Sequence, residues 1–102
     1  MATFVMLTRL MPSSPIVPRT LEEVERRVME RIRTECPEVE WISSYAMLGP
    51  YDYLDLFKAG SVEAAMKVSA IIRTHGHAQT EVWAATEWKH FKDLVRDLHG
   101  TV

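Results

Sequence analysis

The residues best equipped for chemistry fall into three small groups. The first is the turn Leu48-Gly49-Pro50-Tyr51-Asp52-Tyr53, where one carboxylate stands between two phenols. Asp52 could hold a ligand amine there, because turn residues on a rigid sheet are frequent binding positions. Its plainer role is to accept backbone N–H bonds and brace the turn. The second group is His75 and His77, either side of Gly76. Two imidazoles at a helix-to-strand junction could hold a metal or supply a general base. A metal asks for three or four ligands, and the spacing signals no third. His75 also suits a helix C-terminus through the helix dipole. The third group is Trp41, Trp83 and Trp88, which could line a cavity for a flat ligand or serve core and interface packing.

What is missing narrows the chemistry. No local Ser/His/Asp or Cys/His motif is present, and the four glycines are isolated, so no phosphate-cradling loop forms. Cys36, beside Pro37, has no resolving partner or activating base and reads as a small buried residue. His90 and His99 belong to the outer face or end of the last helix. The sequence therefore assigns no catalytic residue, no metal and no cofactor. Gly49, Tyr51, Asp52, Tyr53, His75 and His77 remain as candidate ligand-binding positions.

The elements that must carry these residues follow from periodicity. Gly49 tolerates positive φ and Pro50 presets φ for a β-turn. The runs on either side, Val39 to Leu48 and Tyr53 to Lys58, read as strands of a hairpin. Upstream, Thr3 to Leu10 is a nearly continuous apolar run, expected to be a strand buried on both faces. Met11 to Arg19 holds three prolines and reads as a loop. Thr20 and Glu23 form a capping box opening a helix whose inner face is Leu21, Val24, Val28 and Ile32. Glu22–Arg26 and Glu23–Arg27 are i,i+4 pairs on its solvated face. Pro37 closes this helix region.

Downstream, Ser61 caps a second helix with a stripe of Val62, Ala65, Met66, Ser69 and Ile72, widened by Val68 and Ile71. Gly76 is placed to stop it. Ala78 to Ala85 is a fourth strand. A third helix runs from about Thr86 to His99, with Trp88, Phe91, Leu94, Val95 and Leu98 on one face and Gly100 beyond its end. The order is βαββαβ plus a C-terminal helix: an α+β, ferredoxin-like domain with a four-stranded antiparallel sheet. Strand residues are apolar in both phases, with Trp41, Tyr45 and Met47 in one and Ile42, Ala46 and Leu48 in the other. A sheet apolar on both faces needs a second cover. A second copy of the chain would supply it, which predicts a homodimer packed sheet on sheet.

Composition bounds the partners. With 102 residues the chain makes a single domain, and a net charge of −2 offers no basic face for nucleic acid. No apolar run approaches the roughly 18 residues of a membrane span, and Met1 to Leu7 lacks the basic start of a signal peptide. A lone cysteine excludes an intramolecular disulfide and fits a reducing compartment. A cytoplasmic protein with neither nucleic-acid nor membrane partners is expected.

The Gly49-x-Tyr51-Asp52 core, with its following strand and Ala-containing helix, resembles the signature of GYD-domain proteins. The resemblance extends to the Thr80-Glu81 strand and the Thr86-Glu87-x-x-x-Phe91 segment. It implies the dimeric α/β-barrel group, which includes the ligand-binding module of Lrp/AsnC-type regulators. That module is similar in carrying a Gly-x-x-Asp turn between its second and third strands, near where amino-acid effectors bind at subunit contacts. By this resemblance Gly49 and Asp52 occupy the corresponding turn. The proline-rich segment from Pro12 to Pro18 departs from the pattern, and the chain lacks a helix-turn-helix. The expectation is an oligomeric, sensor-like small-molecule binding protein without catalysis. The alternative is a small cofactor-free or haem-linked monooxygenase or isomerase, which would need His75 or His77 facing the barrel cavity beside Trp or Tyr.

Overall fold

The structure, a computed structural model, describes residues 1–12, 20–76 and 78–99. Its elements are β1 (Ala2–Leu10), α1 (Leu21–Glu35), β2 (Glu40–Ala46), β3 (Tyr53–Ala59), α2 (Val62–Gly76), β4 (Ala78–Ala85) and α3 (Trp88–His99). The four strands form one antiparallel sheet in the order β2-β3-β1-β4. This is the ferredoxin-like arrangement: two strand-helix-strand halves interleave, so β1 and β3 lie at the centre and β2 and β4 at the edges.

Helices α1 and α2 cover one face of the sheet. Phe4 and Met6 of β1 and Phe57 and Ala59 of β3 point inward and pack against Val28 and Ile32 of α1 and Ala64, Ala65 and Val68 of α2. Phe57 lies at the centre with no exposed surface. Its ring stacks between Phe4, at 5.7 Å, and Trp41, at 5.4 Å with the planes 9° apart. Cys36, at the C-terminus of α1, belongs to this core. Its N–H donates to the Ile32 carbonyl at 2.8 Å, and burial pushes its thiol pKa up.

Several local expectations need correction. Thr20 occupies the N-cap position of α1, but its side chain makes no capping hydrogen bond, since its backbone is already αR. The Glu23–Arg27 pair forms at 2.6 Å. In α2 the buried stripe is Ala64, Ala65, Val68 and Ser69, with Val62 and Met66 exposed. Small residues face the sheet there, so the larger apolar ones mark a different side. Ser61 does cap α2, accepting from the Ala64 N–H at 3.1 Å. Gly76 is the last helical residue rather than the one beyond it. The loop expected at Met11 to Arg19 lies outside the described residues over 13–19, as do His77 and Gly100.

The larger correction concerns β2. A register shift between Trp41 and Ser43 leaves Ile42 without a partner on β3. This bulge inverts the alternation: Trp41, Ser44 and Ala46 share the helix-facing side, while Ser43 and Tyr45 take the other. Trp41 and Tyr45, which share a phase in the sequence, thus sit on opposite faces.

The face away from the helices carries Val5, Leu7, Leu54, Leu56 and Trp83, with Tyr45 on the edge. Trp83 is 58% exposed. The third helix does not join the buried core. Its apolar side, Trp88, Phe91, Leu94 and Leu98, is exposed. The molecule is correspondingly long, 56 × 31 × 18 Å with a radius of gyration of 16.1 Å. A compact chain of this length would have about 13 Å.

Candidate functional site

The β2–β3 turn is braced against the end of β1 by three hydrogen bonds and closed on itself by a fourth. The Asp52 N–H donates to the Thr8 carbonyl at 2.8 Å, and the Met47 N–H donates to the Asp52 carbonyl at 2.9 Å. The Asp52 carboxylate accepts from the Leu10 N–H at 2.7 Å, beyond the last residue of β1 that pairs with β3. The Arg9 Nε–H donates to the Pro50 carbonyl at 2.8 Å. Gly49 makes the turn possible: its φ of +149° lies where side-chain-bearing residues rarely go. Leu48 protrudes fully into solvent beside it.

The brace places Tyr51 rather than Asp52 over open space. The Arg9 guanidinium lies 5.1 Å from the centre of the Tyr51 ring, a cation–π contact. The Tyr51 hydroxyl donates to the Glu81 carboxylate on β4. That bond raises the phenol pKa, since ionising it would set two anions side by side. These three residues, with Arg73 of α2 and Gln79 and Thr80 of β4, line an open cleft of about 360 Å³. Behind it Thr80 shares a 2.5 Å hydrogen bond with Ser69 of α2. The cleft therefore presents two guanidiniums, one carboxylate and one phenol.

Tyr53, only two residues on, joins a different site. It faces the helices and lines a cavity of about 340 Å³ between α1 and the β2–β3–β1 side of the sheet. Most of the wall is apolar: Leu10, Val24, Val28, Met29, Trp41 and Ile72 are among its residues. The polar groups cluster on the sheet. Trp41 Nε1–H donates to Ser44 Oγ at 2.8 Å, and Ser44 in turn hydrogen-bonds the Asp55 carboxyl. Burial holds the Asp55 pKa above its ordinary value, with Ser44 pulling the other way and the charge of Glu25 adding to the rise. Burial likewise raises the Tyr53 phenol. Thr8 also lines the cavity at 3% exposure, and its Oγ1 finds no hydrogen-bond partner among the described residues.

The six candidate residues are thus distributed rather than gathered. Gly49 and Asp52 build the turn, Tyr51 enters the open cleft, and Tyr53 enters the apolar cavity. His75 is exposed near the end of α2 and lines neither space; His77 lies outside the described residues. Trp41 lines the cavity, Trp83 lies on the open sheet face, and Trp88 stacks on Phe91 at 5.5 Å along α3. Among the described residues no three His, Cys, Asp or Glu side chains converge as a metal cage. None of the helices there is long and apolar enough to cross a membrane.

Residue-type patterns did not reveal Arg9, Arg73 and Glu81, because they come from three elements. The one available signal was Arg9 itself, a charge inside an otherwise apolar strand. Ser44 and Asp55 escaped because the Ile42 bulge hides their shared face.

The chain is similar in structure to the Leucine response regulatory protein (LrpA) of Mycobacterium tuberculosis, with 19% identity and a TM-score of 0.52. The match covers 84% of this chain and 51% of that one, so this chain spans about half the length of LrpA. It is also similar to FFRP-DM1, with 21% identity and a TM-score of 0.50, over 84% of this chain and 100% of that one. At these identities the likeness is one of fold. No curated protein matches the sequence. The model of the GYD domain matches residues 4–95, nearly the whole sheet and helix framework including the braced turn. The chain belongs to the GYD domain family.

Proposed function

We propose that this protein is an oligomeric small-molecule binding module whose ligand occupies the cleft beside the Gly49–Asp52 turn, at a contact between subunits. The observation that carries this reading is the position of Tyr51, held by the braced turn between Arg9 and Glu81 with Arg73 on the same cleft. Guanidiniums facing a carboxylate and a phenol suit a zwitterion: Arg9 and Arg73 would take a carboxylate, and Glu81 with Tyr51 would take an ammonium. An α-amino acid has that chemistry, and the fold likeness to a leucine response regulatory protein agrees with it. In this reading Asp52 shapes the site without touching the ligand, because its carboxylate is committed to Leu10.

The subunit contact is the open sheet face. Arg9, Gln79 and Glu81 share that face with Leu7 and Trp83, so a second copy packed on the apolar centre would border the cleft. Native mass spectrometry of the parent should give a dimer or larger closed oligomer, and Trp83→Asp should give a monomer. Calorimetric titration with L-leucine and L-phenylalanine tests the site. Binding should occur and should weaken at least ~10-fold in both Arg73→Ala and Glu81→Gln. A parent that binds no amino acid, or variants that bind as well as the parent, would overturn the assignment.

A further inference from the structure

We infer that the cavity between α1 and the sheet is a second binding site, selective for an apolar ligand carrying one ammonium group. The inference is independent of the cleft, with which the cavity shares no residue. Its volume of about 340 Å³ falls within the range of small-ligand pockets, and its wall is mostly aliphatic and aromatic.

Charge selects the ligand. The wall carries two acidic residues, Asp55 and Glu25, and no lysine, arginine or histidine among the described residues. Asp55 is the deeper one, and its neighbour Ser44 is oriented by the Trp41 Nε1–H. A half-buried carboxyl that shares its wall with a second carboxylate is a poor host for an anion. It is a good host for a cation, which offsets both the burial penalty and the repulsion from Glu25. Burial raises the Asp55 pKa, and an ammonium ion beside it would favour the charged carboxylate. Thr8 is the second signal. Its Oγ1 is buried in the wall without a hydrogen-bond partner among the described residues, and a ligand donor would satisfy it. Trp41 supplies an aromatic wall for the apolar body and, through its π-face, a further preference for positive charge.

The test is titration calorimetry with three ligands of similar shape: 2-phenylethylamine, 2-phenylethanol and 3-phenylpropanoate. The amine should bind saturably at one site per chain, the alcohol at least ~10-fold more weakly, and the carboxylate not at all. Asp55→Asn should erase the preference for amine over alcohol while retaining weak binding of both. Val24→Trp, which fills the cavity from α1, should abolish both, and neither variant should alter L-leucine binding at the cleft. Failure of 2-phenylethylamine to saturate, equal binding of the carboxylate, or an amine preference surviving in Asp55→Asn would each overturn the inference. Loss of leucine binding with amine binding intact would instead count against the cleft alone.

Discussion

Replacing Asp52 by alanine isolates the brace that holds the turn. Among the described residues the side chain accepts a hydrogen bond from the part-buried Leu10 N–H at 2.7 Å. A hydrogen bond to a charged acceptor contributes about 1.5–3 kcal/mol. Partial solvent access lets water replace some of that, so a loss of about 1–2 kcal/mol is expected. For a domain of this length each kcal/mol moves Tm by roughly 4–8 °C, so Asp52→Ala should melt about 5–15 °C lower than the parent. The midpoint of urea denaturation should fall with its slope unchanged, since the surface exposed on unfolding is the same. Asp52→Asn keeps an acceptor oxygen at the same reach and should lose less than half as much. Because the brace also positions Tyr51, leucine affinity at the cleft should fall in Asp52→Ala and recover largely in Asp52→Asn. An alanine variant within about 0.5 kcal/mol of the parent, or an asparagine variant as unstable as the alanine one, would refute the brace.

Other perturbations have distinct outcomes. Phe57→Ala removes the ring stacked between Phe4 and Trp41 and should cost about 3–5 kcal/mol in denaturant titration. Asp55 holds its proton more tightly folded than unfolded, so its contribution to stability is fully present below the ordinary value of 3.8 and is lost as pH rises from there through the raised folded pKa. Asp55→Asn should abolish that decline and be the more stable protein at pH ~7, as urea midpoints across the range will show. Cys36, buried and with its thiol pKa raised, should react with Ellman's reagent only as fast as the protein unfolds; rapid labelling of the native protein would contradict its place in the core.

The framework was legible because its signals are local. Gly49 and Pro50 announce the turn, Ser61 starts α2, and alternation marks β4, so the element order followed directly. The pattern failed wherever a side chain's direction depends on a neighbour. A bulged residue such as Ile42 carries no sequence signature, yet it reverses every face after it. Hydrophobicity placed Val62 and Met66 on the same stripe as Ala65, whereas close helix-to-sheet packing buries Ala64 beside Ala65 and leaves the two larger residues exposed. Asp52 was marked as chemically important, and its commitment to Leu10 could only be seen once β1 and the turn were brought together. The cleft residues Arg9, Arg73 and Glu81 are spread over much of the chain, so no spacing rule joins them.

The third helix carries a consequence for concentration. It has 12 residues, and its apolar side is exposed. An isolated helix of that length is marginal in water, because the cost of its first turn is barely recovered before it ends. Its helicity therefore depends on whatever covers Trp88, Phe91, Leu94 and Leu98. Where that cover is another chain, ordering α3 and associating become one event, and ellipticity at 222 nm should fall on dilution well before the sheet and its two packed helices unfold. The C-terminal segment then reports how many copies of the protein surround it, a folding transition set by abundance and not by temperature.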